Sequence, residues 1–386
     1  MKILHVVPIF APCFEAGGVV NASYQIAKKQ AENGHDVTVI TTDNCKNRIP
    51  ITTQEIDGIK VHYFKNISNS FKNTFTIDTP LKLNAYLKKH IKEFDIVHIH
   101  EHRHTLAILT HSYCKKNNIS YIIQAHGSVL PFFQKEKLKE IFDKLWGFNI
   151  LHDASKVFAL TEVEKEQYLK MKVKSENIEI VPLGVDLKEY SNLPEKGKFR
   201  YKFNISNEDI LLIFVGRINK IKGLDLLVKS FKKLSENNPK LKLAIVGSDN
   251  GYLSTLKDLI NDLNLNETVI LTGPLFNSDK LEGLVDCDIF VMSSKYESFT
   301  TSGLEAMACG KPLVLTKNNH IHNWVNENTG LSCEDNEESL SNAINTLIDN
   351  EKLREIYGKN GKDLITNKYN WDIIYRQIID IYSKLK

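Results

Sequence analysis

Short apolar runs alternating with longer amphipathic segments predict two doubly wound α/β domains in this chain of 386 residues. Runs rich in Val, Ile, Leu and Phe recur with helical periodicity between them, the pattern of parallel sheets covered on both faces. The alternation is interrupted once, by a polar stretch with Gly, Pro and Lys at 186–207, and then starts again. The length is sufficient for two domains, each with its own core.

In the first half the expected strands are 3–7, 36–41, 59–64, 96–100, 121–124, 157–160 and 178–181. The first helix begins near Val19 and stops at Asn33-Gly34, a helix-end signal. The start, Met1-Lys-Ile-Leu-His-Val-Val-Pro8, could pass for a signal peptide. Its apolar core is short and lacks a small-residue cleavage site, so it reads as a buried strand. In the second half the strands are 210–215, 243–246, 269–271, 289–292 and 313–315. The segment 186–207 reads as a linker, and 371–382 as a helix with one apolar face.

Composition is that of an ordinary globular protein, 42% hydrophobic and 25% charged. The net charge of +3 hides an asymmetry: residues 1–185 carry 24 Lys/Arg against 19 Asp/Glu, and the remainder 26 against 28. A first half at +5 suits an anionic acceptor or membrane surface and falls short of a nucleic-acid footprint, so no nucleic acid is expected. Six cysteines (13, 45, 114, 287, 309, 333) form no C-x-x-C pair, which favours reduced thiols and a cytoplasmic setting. No apolar run is long enough to span a bilayer.

The most informative segment is Glu297-Ser-Phe-Thr-Thr-Ser-Gly-Leu-Glu305. It follows a buried strand, and Thr300, Thr301 and Ser302 supply cap chemistry for a helix reaching about Cys309 and stopping at Gly310-Lys-Pro312. The unpaired N–H groups of a helix N-terminus favour anions. The backbone N–H groups of Phe299, Thr300, Thr301 and Ser302 are therefore the expected phosphate cradle. Carboxylates accept hydrogen bonds from sugar hydroxyls, so Glu297 and Glu305 around such a cradle suggest a ligand that is part phosphate and part polyol. On spacing alone, Ser302 to Glu305 also fits a capping box, and Glu297 a solvated loop charge. Gly216-Arg217 and Lys222 follow another buried strand, where they are either solvated or a clamp for phosphate oxygens.

Five motifs in order resemble the retaining GT-B glycosyltransferases, in particular glycosyltransferase family 4. They are Gly17-Gly18, Ala125-His-Gly127, Ile180-Val-Pro-Leu-Gly-Val-Asp186, Phe214-Val-Gly-Arg-Ile-Asn-Lys-Ile-Lys-Gly223 and the Glu-x7-Glu segment. Thr300 and Leu183 stand where the family has Gly and Asn. The resemblance implies a GT-B fold with two Rossmann-like domains facing a central cleft. The N-terminal domain, 1–185 with a crossover helix at 368–386, would hold the acceptor near Gly17 and Gly18. The C-terminal domain, 186–367, would bind the nucleotide sugar. It also implies the site: Arg217 and Lys222 on the diphosphate, Glu297 and His126 near the transferred sugar, Glu305 on ribose, and Gly216, Phe299, Thr300, Thr301 and Ser302 lining the donor pocket.

The function so implied is transfer of a sugar from a UDP- or GDP-sugar to a glycan or lipid-linked acceptor, in bacterial cell-surface polysaccharide biosynthesis. The alternatives are a GT-B nucleotide-sugar epimerase or hydrolase, and a non-catalytic sugar-nucleotide-binding subunit. Asp286-Cys-Asp288 spells a D-x-D metal motif but precedes a buried strand, so it reads as structural; no metal or cofactor is expected, and Asp286→Ala should be tolerated. His98, His100, His102 and His104 mimic a metal site and read instead as a strand-end cluster, some of it touching acceptor. Two segments could lie on an anionic membrane: a lysine-flanked stripe of Leu83, Leu87 and Ile91, and an aromatic-rich stretch with Phe132, Phe133 and Trp146. For each segment alone, a helix packed on the sheet is the simpler account.

Overall fold

The computed structural model describes residues 1–45, 47–67, 78–132, 135–325 and 328–386, in two units. One comprises Met1–Leu183 with Trp371–Lys386, the other Gly184–Asn370. The apolar runs become strands whose edges are satisfied by parallel neighbours, as expected where helices cover both faces.

The sheet of the first unit is ordered β3-β4-β2-β1-β5-β6-β7-β8 among the described residues. Its strands are β1 (Lys2–Val6), β2 (Asp36–Thr42), β3 (Thr53–Ile56), β4 (Ile59–Phe64), β5 (Ile96–His100), β6 (Tyr121–Gln124), β7 (Lys156–Ala159) and β8 (Ile178–Ile180). All pair in parallel except β3 with β4. The second sheet is wholly parallel, ordered β11-β10-β9-β12-β13-β14. It comprises β9 (Ile210–Val215), β10 (Leu241–Val246), β11 (Val269–Gly273), β12 (Ile289–Met292), β13 (Leu313–Thr316) and β14 (Gly330–Cys333). The helix Trp371–Leu385 packs in the first unit, where Lys29 Nζ meets Asp372 at 2.6 Å and Gln377 Nε2 donates to the Ile180 carbonyl at 2.7 Å.

Several expectations need correction. Strand β3 is polar and alternates exposed with half-buried residues, so its composition does not announce it. Asp57-Gly58, both at positive φ, is the two-residue hairpin turn that could have revealed it. Segment 186–207 is not a free linker. It carries the helix Lys198–Lys202 and buries Tyr190, Phe199 and Arg200 in the second unit. Cys13 and Cys45, in the loops after adjacent strands β1 and β2, form a disulfide with Cα atoms 5.7 Å apart. The other four cysteines are free and buried. Finally, Leu83, Leu87 and Ile91 are at most 1% exposed and belong to the core of the first unit. That stripe faces the sheet, so it offers nothing to a membrane.

Candidate active site

In the second unit the candidate donor residues gather at the C-terminal ends of β9 and β12, where ligands bind in open α/β sheets. The chain leaves β9 through Gly216 and Arg217, makes a short turn at Lys220–Lys222, and enters the helix Leu224–Ser235 at Gly223. Only glycine fits position 223: its φ is +62°, and a Cβ would lie 2.0 Å from the Ser293 carbonyl oxygen. The Ser293 hydroxyl, just after β12, bonds the carbonyl oxygens of Lys222 at 3.1 Å and Gly223 at 2.9 Å. This lock fixes the direction in which Lys222 leaves the backbone.

Lys222 Nζ pairs with the Glu297 carboxylate, and both side chains are mostly buried, at 14% and 13% exposure.

 Glu297 is held in turn by its backbone, whose N–H donates to the Asn318 carbonyl at 3.0 Å while its carbonyl accepts from the His320 N–H at 2.8 Å. Arg217 is exposed and has no hydrogen-bond or ion-pair partner among the described residues. The structure thus joins two residues that the sequence presents in separate motifs, and leaves Arg217 open to a ligand.

The helix Thr301–Ala308 follows directly. Its N-cap is Thr300, whose Oγ1 accepts from the Gly303 N–H at 3.2 Å. Ser302 is therefore not the cap; its hydroxyl donates to the Val215 carbonyl at 2.9 Å and ties the helix start to the end of β9. Glu305 stands too far along the helix for a capping box, which excludes that reading. Instead it accepts from Lys280 Nζ at 2.8 Å, with a side chain only 13% exposed. The Thr301 and Ser302 N–H groups have no acceptor among the described residues, as a first helical turn leaves them. Phe299 is buried, its ring edge-on to Trp324 at 5.3 Å.

Two neighbours were not legible in any motif. Lys280, on the helix Asn277–Asp286, balances the charge of Glu305. Tyr190 is buried close by, and burial followed by the Glu305 charge pushes its hydroxyl well above the usual phenol range. Asp286 and Asp288 are committed to the fold. Asp286 accepts from the Gly197 and Arg200 N–H groups at 2.6 and 3.0 Å, and Asp288 from Arg200 Nη2 and the Leu211 N–H, both at 2.8 Å. Asp286 is 5% exposed, so the expectation that its removal is tolerated is replaced by one of lost stability.

In the first unit, Gly17 has φ of +116° and precedes a helix, Gly18–Glu32, that has no side-chain cap among the described residues. A Cβ on Gly18 would meet nothing within 4 Å, so packing does not demand glycine there. His126 and Gly127, just past β6, both adopt positive φ. The turn is held from beneath. Glu164, fully buried, accepts from the Gly127 and Leu160 N–H groups at 2.6 Å each, and burial raises its carboxyl to about 7. Arg103 forks onto Asp143 at 2.8 and 2.7 Å and also bonds the Val129 carbonyl at 2.7 Å. His98, His100 and His102 are 0% exposed and so cannot touch an acceptor, contrary to expectation. His104 caps the helix Thr105–Asn117 by accepting from the Ala107 N–H at 3.1 Å.

Comparison with known proteins bears on the family and the fold. The model of glycosyl transferases group 1 matches residues 195–364, and that of Glycosyltransferase Family 4 matches residues 16–189. A glycosyltransferase of Methanocaldococcus jannaschii is 30% identical over 278 residues, covering 70% of this chain and 69% of the relative. The UDP-Gal:alpha-D-GlcNAc-diphosphoundecaprenol alpha-1,3-galactosyltransferase of Escherichia coli is 25% identical, covering 99% of this chain and 96% of its own length. Among solved structures, Anabaena HepE in complex with UDP-glucose superposes with a TM-score of 0.79 at 19% identity, covering all of both chains.

Proposed function

The chain belongs to the group 1, family 4 glycosyltransferases of GT-B fold, and on that premise we propose that it is a retaining enzyme using a UDP- or GDP-sugar. The acceptor is a hydroxyl of a glycan or lipid-linked glycan, in bacterial cell-surface polysaccharide synthesis. The observation that carries this reading is the Lys222–Glu297 pair, with an exposed Arg217 and two first-turn N–H groups that have no partner among the described residues. Arg217, Lys222 and the helix terminus at Thr301 and Ser302 meet the diphosphate, whose charge grows as the sugar leaves. Glu297 faces the sugar, and Glu305 accepts from ribose hydroxyls. The bond from the anomeric carbon to the diphosphate breaks, and the bond to the acceptor oxygen forms on the same face. The acceptor's proton passes to the departing phosphate. Positive potential comes from these side chains and the helix, so the reaction needs no divalent metal.

The E. coli relative is named for a diphosphoundecaprenol-linked acceptor, which supports a lipid-linked substrate here. No helix among the described residues is long and apolar enough to cross a membrane. The segment 135–147 instead exposes Leu138, Ile141, Leu145 and Trp146 at 50%, 54%, 55% and 42%. Exposed Lys135, Lys137 and Lys144 outnumber the exposed Glu136 and Glu140 of the same segment, a balance that leans toward the surface of an anionic bilayer. Phe132 lies just before it, and Phe133 falls outside the described residues. A thermal-shift panel of UDP- and GDP-sugars tests the donor. NMR of the product then tests the mechanism: an anomer matching the donor's supports retention, whereas inversion, or free sugar or epimer formed without acceptor, refutes it.

A further inference from the structure

Three neighbouring strands each send one imidazole into a single hydrogen-bonded row. His5 lies on β1, His100 ends β5 and His126 follows β6. His5 Nε2 meets Gln30 Oε1 at 2.7 Å, His5 Nδ1 meets His100 Nε2 at 2.9 Å, and His100 Nδ1 meets His126 Nε2 at 2.9 Å. The rings are nearly parallel, at 22° and 16° between successive planes. Gln30, His5 and His100 are 0% exposed, and burial holds the three imidazoles far below their ordinary range, hence neutral.

A neutral imidazole has one donor and one acceptor nitrogen, so a row of them has a direction. An amide carbonyl only accepts. His5 Nε2 therefore carries the hydrogen, and His5 Nδ1 accepts from His100 Nε2–H. His100 Nδ1 then accepts from His126 Nε2–H. What remains is the lone pair on His126 Nδ1, which has no partner among the described residues.

We infer that Gln30, His5 and His100 are positioning residues that hold His126 as the Nε2–H tautomer, so that its Nδ1 receives a hydroxyl hydrogen of the bound sugar. The last clause rests on the proposed function together with the resemblance that puts His126 near the transferred sugar; the tautomer does not. The row is also closed to proton export. A proton arriving at Nδ1 and relayed inward would end on His5 against an amide carbonyl that cannot take it. His126 is accordingly an acceptor of a hydrogen bond, not a base that discharges through the fold.

The test is long-range 1H–15N NMR of the histidine side chains in the full chain at neutral pH. His126 should show a protonated Nε2 and an unprotonated Nδ1, and the Nδ1 resonance should move when nucleotide sugar is added. A protonated Nδ1 would mean that the row runs the other way, with the Gln30 amide reversed, and would overturn the inference. The correct tautomer with no response to a sugar nucleotide that binds would overturn only the sugar contact. Gln30→Glu keeps an acceptor and should keep the tautomer; Gln30→Met should mix tautomers and raise KM for donor about five- to tenfold, the scale of one hydrogen bond, with nucleoside diphosphate affinity unchanged. Because His5, His98 and His100 place nitrogens within 4.8 Å of one another, zinc is the control ligand. Stoichiometric zinc that displaces the His5–His100 bond would replace the row with a metal site.

Discussion

Lys222 and Glu297 stand 75 residues apart in the chain and form a mostly buried ion pair. Each side chain compensates the other's charge before any ligand arrives, so the effects of removing them should be coupled.

Arg217→Ala and Lys222→Ala should each lower kcat/KM by roughly 10²–10³, the scale of losing one preorganised donor. Their stabilities should differ. Arg217 is exposed, so its loss should leave Tm unchanged. Lys222→Ala strands the Glu297 carboxylate and should cost about 1–3 kcal/mol. The double variant Lys222→Ala with Glu297→Gln should recover Tm without recovering activity, and denaturant unfolding beside steady-state kinetics would show it.

Glu305→Gln should weaken nucleoside diphosphate binding while Tm changes little, since its charge partner Lys280 is itself partly exposed. Thr300→Ala removes the true helix cap and should cost about 0.5–2 kcal/mol. Calorimetric titration with UDP and GDP separates the two outcomes; unaltered affinity in Glu305→Gln would refute the ribose role.

Activity should survive EDTA. Asp286→Ala should lose stability, because it releases two backbone N–H groups, and Mn²⁺ or Mg²⁺ should not restore it. Loss of activity with chelator and its return with metal would reverse this reading.

Acid should destabilise the first unit. Burial lowers His5 and His102 to about 4 and His126 to about 3, and lowers His98 and His100 well below the ordinary range. The unfolded chain binds protons near 6.5 where the native one does not. Stability is therefore complete above about pH 6.5 and is lost as pH falls toward 4, by up to about 1.4 kcal/mol per pH unit per imidazole. Glu164, raised to about 7, acts in the opposite sense between its unfolded and folded values, against the five imidazoles named and the lowered His35 and His62. Urea unfolding at pH 7, 6 and 5 measures the sum.

Anionic vesicles should retain the protein at low salt and release it at high salt, because exposed charges are screened beyond roughly 10 Å at 0.1 M. Ile141→Glu with Leu145→Glu should abolish sedimentation with vesicles, whereas binding unaffected by that pair would remove the exposed segment from consideration. Leu83 and Leu87 are core residues, so changing them should report on folding alone.

Periodicity and local chemistry determined most of the fold and the candidate site, because both are written over a few consecutive residues. The strand before Glu297, the helix after it and the glycine at position 223 are such features. Pairings over long separations were decided only by the path of the chain. Lys280 reaches Glu305 from another helix, and His5 joins His100 across 95 residues; no spacing rule encodes either. Cys13 meets Cys45 for the same reason, since neighbouring strands bring their loops together. Amphipathicity carries a further ambiguity, because an apolar stripe looks alike whether it faces a sheet or water. Leu83 and Leu87 turned inward, Leu138 and Ile141 outward, and only packing against the sheet distinguishes the two.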